Sequence, residues 1–579
     1  MQRKRLQNLI GSFEVFLLVF ILIFIPLIVN FNFFRAYELP KIFIFRVCVS
    51  LLTIVVLLHH MFFLKTYQNT KKIKLNRESA IILIGIFLII IWLTITTLLS
   101  DNIITSIWGN YDKRFGLLTI MNLIFFGLLS FDILQRNLQK FLFLFSVCIP
   151  VFILINFKDS YEQLFLGTLD LNLTEGRVVG TFGQSNFLAG YVLLMMPFLL
   201  YFLYSIKSKL FKTYIVMNIV VSIILVWWSG SRMGQIILIF LLIYSLALFI
   251  KHYFTQPILK KFALAISIIL GIMVILIVFT TSSRFQAFGL LDDTRRNIWK
   301  ASLQAISDSP LIGYGLDVGG YILPAYMYQS GVNVPISLDR AHNEFLDISL
   351  NTGLIGLVFV SCFALYLYYK FLTLFKGMEA KKKILFIVLL STILIFWVRS
   401  MVNVNGIMHY VFYVFVSAFI ALEISKQNVQ TIELKIGNKY FNTFCKFLIV
   451  FSFGIFSVYN FIVSFNAVKA DILFNNYFYK TRAVNDIEQT VNYAPNQIIY
   501  RLELLNAYLA NDISFEIREV LPARFLEQNR YWARYYADVG AYYESRGDLE
   551  KAGEYYKKAI KFEPINKSYN EKLDNIIQN

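Results

Sequence analysis

Charge is scarce in this sequence. Only 16% of its 579 residues are Asp, Glu, Lys or Arg, against about 25% in a soluble globular protein. Cysteine is scarcer still: Cys48, Cys148, Cys362 and Cys445 stand alone, with no CxxC pair, inside or at the edge of apolar runs. They read as small buried hydrophobes, which argues against a disulfide scaffold or a thiolate metal site. There is no GxxxxGK[ST], no HExxH, no GxSxG and no Asp-x-Asp. Those absences argue against a nucleotide-driven pump, a zinc protease, a serine hydrolase and a glycosyltransferase that holds a nucleotide sugar through a metal. With five histidines in the chain, candidates for a base that titrates near neutral pH are few.

What is abundant is apolar. Hydrophobic residues make up 58% of the chain, Phe alone numbers 57, and the mean hydropathy is +0.62. From Phe13 to about Phe465 apolar runs near 20 residues long alternate with short polar pieces, and about 20 residues is what crosses a hydrocarbon core. The pattern predicts an all-α polytopic membrane bundle of about 12–13 spans. They fall near 13–34, 42–64, 79–99, 116–133, 140–157, 187–205, 213–229, 233–250, 262–280, 352–374, 384–400, 405–423 and 443–466. The first run follows Met1-Gln2-Arg3-Lys4-Arg5 and has no small-residue cleavage site, so it reads as an uncleaved span.

A net charge of +18 is a signature of nucleic acid binding in some proteins, but here the basic residues sit mainly in alternate loops. Lys71, Lys72, Lys74 and Arg77 are in one; Arg136 and Lys140, Lys207 and Lys209, Lys260 and Lys261, Lys381 to Lys383, and Lys435 and Lys439 are in later ones. That alternation is the positive-inside pattern. It predicts a cytoplasmic N-terminus, with loop 281–347 and the C-terminal tail on the opposite side and no nucleic acid partner. The tail, 467–579, lacks an apolar run. In it Tyr536, Val539, Gly540, Tyr543, Gly547, Ala552, Tyr556, Ala559 and Pro564 fall on the 34-residue tetratricopeptide pattern, in which small residues sit where two antiparallel helices touch. Segment 473–496 reads as a degenerate earlier repeat. Such a module binds or spaces, so a protein partner is expected there.

The unusual polar residues gather on the outer side. Gly230-Ser231-Arg232-Met233-Gly234 interrupts two apolar runs at the membrane boundary, where an arginine can snorkel. Loop 281–347 carries Arg284, Arg295, Arg296, Trp299, Arg340, His342 and Asn343. Asp293–Asp308 has helical spacing, with Arg295 and Trp299 on one face, and 309–315 reads as a turn. Each feature taken singly suits a helix end or a solvated face. Several arginines at a water–lipid boundary also suit a diphosphate, because guanidinium forks pair with phosphate oxygens.

In these residues the chain resembles the O-antigen ligase/polymerase superfamily of bacterial membrane glycosyltransferases, over roughly 13–425. The matching pieces are Gly109-Asn110-Tyr111-Asp112-Lys113-Arg114-Phe115-Gly116, Gly180-Thr181-Phe182-Gly183-Gln184-Ser185-Asn186, Ser231-Arg232, Arg295 to Trp299, and Asp308-Ser309-Pro310-Leu311-Ile312-Gly313-Tyr314-Gly315. They end with Ala341-His342-Asn343-Glu344-Phe345-Leu346 and Gly353-Leu354-Ile355-Gly356. The resemblance implies a ligase-like membrane domain over 1–466 in a bacterial cytoplasmic membrane, its site carried by loop 281–347. It implies transfer of a glycan from an undecaprenyl-diphosphate carrier to an acceptor on the outer face, with neither metal nor cofactor. Carried over by position, Arg232 and Arg295 would bind the diphosphate and His342 would act as general base. Arg114, Asn186, Arg340 and Asn343 would line the site, and Trp299 would pack. Three acceptors fit: a second carrier-linked glycan (polymerase), a lipid or wall polymer (ligase), or a protein hydroxyl (O-oligosaccharyltransferase). From other classes, a flippase of lipid-linked glycans predicts ionisable residues at mid-span, and a plain anchor leaves the arginines unexplained.

Overall fold

A helix rises 1.5 Å per residue, so crossing a hydrocarbon core of about 30 Å takes about 20 apolar residues. The computed structural model describes residues 2–63, 72–168, 176–253, 293–332, 334, 338–426, 431–435, 439–522, 525 and 531–578. Among them ten helices are long and apolar enough to span. The chain is a polytopic α-helical membrane protein. One of the ten, Leu117–Phe165, is two helices joined across a kink at Asn137 (φ −134°, ψ 27°), and its arms correspond to the two spans expected at 116–133 and 140–157. The span expected at 233–250 is present as the helix Arg232–Tyr253. The one expected at 262–280, and with it Arg284, lies outside the described residues. The only strands among the described residues form a two-stranded antiparallel ribbon, which pairs Lys72–Asn76 with Thr431–Lys435.

The chain forms two units: Met1–Leu142 with Asn297–Gly377 and Gly406–Asn579, and Phe143–Arg296 with Met378–Asn405. In the first, polar side chains inside helices find partners within the protein, since lipid offers none. The Asn460 amide nitrogen reaches the Ser50 hydroxyl (2.7 Å), the Asn122 amide oxygen (2.9 Å) and the Arg46 carbonyl (3.0 Å). Glu14, fully buried, pairs with Arg136 (2.8 Å) and His59 (2.9 Å), while His60 meets Asp132 at 3.1 Å.

The loops of this unit sort into two sets. One set joins the N-terminal arm to the Asn137 bend and holds the ribbon and the Lys370–Glu78 pair (3.0 Å). The other joins 28–37, 99–116 and 309–343 to the tail: Arg35 pairs with Asp112 (2.8 Å), the Asp101 amide donates to the Tyr314 carbonyl (3.2 Å), and the Tyr328 hydroxyl donates to Glu563 (3.2 Å).

Composition changes at Ala467, but the backbone does not break there: the helix Lys439–Asn476 runs through it. Short amphipathic helices follow. Ala533–Ser545 and Leu549–Phe562 pack on each other across Ala537, Ala552, Tyr556 and Ala559. A Cβ on Gly540 would lie 2.9 Å from the Tyr556 ring, so glycine sets the closeness of the pair. The turn between them uses Gly547 at φ 75°, and Asp548 caps the second helix by accepting from the Lys551 amide (3.2 Å).

Candidate active site

In the first unit the backbone around His342 is clamped on both sides. Trp299 Nε1 donates to the Ala341 carbonyl (2.9 Å), and the Ala341 amide donates to Asp347 Oδ1 (2.8 Å). Asn343 caps the helix Glu344–Thr373, its side-chain oxygen accepting from the Phe345 (3.0 Å) and Leu346 (3.4 Å) amides. Between these anchors His342 adopts φ 57°. A left-handed backbone is uncommon outside glycine, although His, Asn and Asp are enriched there. Such a residue persists where its surroundings over-determine it, commonly at functional sites. Its side chain remains partly exposed.

Arg340 stands behind the histidine. It is buried, with Nη1 donating to the Tyr410 hydroxyl (3.1 Å), Nη2 3.6 Å from Asp317, and its guanidinium 4.9 Å above the Phe115 ring. Asp317 in turn fixes the 109–116 loop, its Oδ2 accepting from the Asn110 (2.7 Å) and Phe115 (2.9 Å) amides. Burial pushes the Asp317 carboxyl above its usual range; Arg340 and the two amides pull against that. Arg340, expected to line the substrate space, is thus held by a hydroxyl, a carboxylate and a ring. Arg114, expected to line it too, is equally enclosed. It is 3% exposed, at φ 49°, its guanidinium within 6 Å of the Phe43, Tyr111 and Tyr500 rings and donating to the Tyr500 hydroxyl at 3.2 Å.

The glycine-rich pieces 308–315 and 353–356 prove to be two halves of one joint. The Leu354 amide donates to the Pro310 carbonyl (2.7 Å), Tyr314 to Leu350 (2.8 Å) and Gly315 to Asn351 (3.1 Å). The helix Glu344–Thr373 breaks at Gly353 (φ 68°, ψ 178°) to offer those groups. They seat the 309–315 turn against that helix.

The second unit holds Asn186, Arg232 and Arg295. Ser231 precedes the helix Arg232–Tyr253 and its hydroxyl accepts from the Gly234 amide (3.3 Å), which puts Arg232, half-buried, at the helix start. Gly234 packs on Ala189 of the helix Ser185–Ser205. At the next residue, Gly190, a Cβ would fall 2.1 Å from Arg399 Nε. Arg399 also donates to the carbonyls of Asn186 (2.9 Å) and Val404 (3.2 Å) and to the Asn405 side chain. The Asn403 amide donates to the Arg399 carbonyl (3.0 Å), and its side chain accepts from Arg295 Nη2 (3.4 Å). Arg295 is half-buried, whereas Arg296 is exposed and lies 3.8 Å from Asp293. Arg295, Arg399 and Asn186 are thus linked through one hydrogen-bonded chain. Sequence reasoning missed Arg399, Asp317 and Asp347. Arg399 was recoverable as a lone charge at the end of an apolar span; the two aspartates belong to no motif.

The first unit thus holds a clamped histidine, and the second holds Arg295 and Arg399 linked near helix ends. Residues 216–361 match the family model described as O-antigen ligase. The match spans that stretch alone and supports a likeness to the O-antigen ligase superfamily of membrane glycan ligases and polymerases. The match includes Arg232, Arg295, Trp299, Arg340, His342 and Asn343, and excludes Arg114 and Asn186. No curated protein matches the chain in sequence.

Proposed function

We propose that the protein transfers a glycan from an undecaprenyl-diphosphate carrier to an acceptor hydroxyl at the outer face of a bacterial cytoplasmic membrane. The observation that carries this reading is the clamped, left-handed His342 within the matched domain. His342 accepts the proton of the acceptor hydroxyl as its oxygen bonds to the anomeric carbon. The bond from that carbon to the phosphate oxygen breaks, and the carrier diphosphate leaves with the electron pair. Arg232 and Arg295 pair with the diphosphate as its charge grows, and Asn186 contributes to substrate binding. Arg340, Asn343, Trp299 and Asp347 position the histidine. The tetratricopeptide pattern of the tail supports a module that engages a large acceptor or a protein partner. A glycan acceptor makes the enzyme a polymerase, a lipid or wall polymer makes it a ligase, and a protein makes it an O-oligosaccharyltransferase.

A positioned base contributes about 10²–10⁴-fold and one charge-stabilising donor about 10²–10³-fold. His342→Ala and Arg295→Ala should therefore each reduce transfer below detection while the protein still inserts. The test is surface glycan in a deletion strain complemented with each variant, with membrane levels of the protein measured in parallel. Near-normal glycan from either variant sinks the assignment. In the deletion strain itself, single short units point to a polymerase and carrier-bound long chains to a ligase.

A further inference from the structure

Apart from the arginine and histidine clusters, the first unit contains a cleft of about 380 Å³, within the roughly 300–1,000 Å³ of small-molecule sites. It opens where loops 28–37 and 99–116, the outer loop and the tail converge. Two features describe its chemistry. Aromatic rings form part of the wall: Phe34 lies 5.0 Å from Phe478 and 4.9 Å from Phe474, and Trp532 lies 4.9 Å from Tyr321, tilted by 42°. The charged side chains between them come as pairs. Arg35 meets Asp112 at 2.8 Å, Arg534 meets Glu503, and Asp339 faces Lys113 at 3.5 Å.

Arg534 also meets Asp538 at 3.5 Å, so the paired charges lean slightly negative and a diphosphate gains little here. They do present donors and acceptors side by side, held in place by their own ion pairs. A sugar hydroxyl can accept from a guanidinium and donate to the neighbouring carboxylate at once. The C–H faces of a pyranose carry slight positive charge, which the negative face of an aromatic ring attracts. The Arg35–Asp112 pair is reachable from solvent, with side chains 54% and 40% exposed. Gly320 keeps the floor open beside Asn110: a Cβ there would lie 2.8 Å from the Asn110 amide nitrogen.

We propose that this cleft is a saccharide-binding site that holds an uncharged, hydroxyl-rich stretch of glycan between the tail and the outer loops. Why a glycan should be present rests on the transferase reading; whether the cleft binds one does not. The test uses the full-length protein in nanodiscs, titrated calorimetrically with the oligosaccharide released by mild acid from the carrier lipid of the source cells. The intact protein should bind it saturably. Trp532→Ala should weaken binding by about tenfold, the loss of one aromatic contact, and Asp112→Asn, a shape-conserving substitution at a half-buried position, should weaken it several-fold. His342→Ala should bind like the intact protein. No binding by the intact protein, capture of peptides in place of the sugar, or unchanged affinity in both cleft variants overturns the proposal. A rise in KM for the acceptor or for the carrier-linked donor in Trp532→Ala assigns the bound glycan to that substrate. Should transfer fail while binding holds, the transferase reading falls and the saccharide site stands.

Discussion

His342 is one residue in a short segment where almost every neighbouring group has a stated partner. Ala341 is held through both its carbonyl and its amide, Asn343 through its cap, and Arg340 through a hydroxyl, a carboxylate and a ring. The arrangement separates residues that would do chemistry from residues that hold them, and kinetics can read the difference. Trp299→Phe keeps the ring in the outer-loop core, where Ile298, Ala305 and Leu350 pack, but removes the donor to the Ala341 carbonyl. Losing one hydrogen bond to a buried carbonyl costs roughly 1–3 kcal/mol. Part of that should appear as looseness of the histidine. We expect kcat to fall about tenfold with KM unchanged, a smaller loss than the roughly 10²–10⁴-fold contribution of a base. A wild-type kcat in Trp299→Phe, measured with purified protein and carrier-linked substrate, removes the tryptophan from the positioning set.

At the scale of elements, the joint between 310–315 and 350–354 shows what glycine does here. Gly353 sits at φ 68°, ψ 178°, a region open essentially to glycine alone, and a Cβ on it would lie 2.0 Å from the Leu311 carbonyl. Gly353→Ala therefore adds backbone strain of about 1–3 kcal/mol to an overpacking cost of about 1–3 kcal/mol. It should lower the thermal transition of the detergent-solubilised protein by several degrees, while Gly377→Ala, with open space around it, should not. The helices themselves were legible because a span announces itself by length and apolarity, and even the Asn137 bend fell between two expected spans. The joint was not. Its two halves lie about 40 residues apart, each reads as an ordinary turn or helix start, and only tertiary contact gives the glycines their reason. The same holds for the site: arginines and the histidine stood out by type and place, whereas Asp317 and Asp347 act through backbone amides that no spacing rule reveals.

For the first unit as a whole, Asp471 is where the tail meets the membrane-spanning helices. It is fully buried in the long helix Lys439–Asn476. Its carboxylate accepts from the Phe34 amide (3.0 Å), the Tyr111 hydroxyl (2.6 Å) and the Tyr500 hydroxyl (3.1 Å). One side chain thereby ties the 28–37 loop, the 109–116 loop and the first helices of the tail to a single helix, with Arg114 packed against the same two tyrosines. Removing a buried acceptor leaves donors unpaired at roughly 1–3 kcal/mol each, so Asp471→Ala releases several contacts together. Asp471→Asn keeps the shape and an acceptor oxygen but gives up the charge-assisted bonds. We expect Asp471→Ala to raise amide hydrogen exchange across 477–510 and in both loops, with Asp471→Asn intermediate and the helix Ile407–Ser425 unchanged. Because the cleft is built from these same segments, saccharide affinity should fall in that order too. Exchange confined to the tail, with the loops as protected as before, shows instead that the loops are held from the membrane side alone.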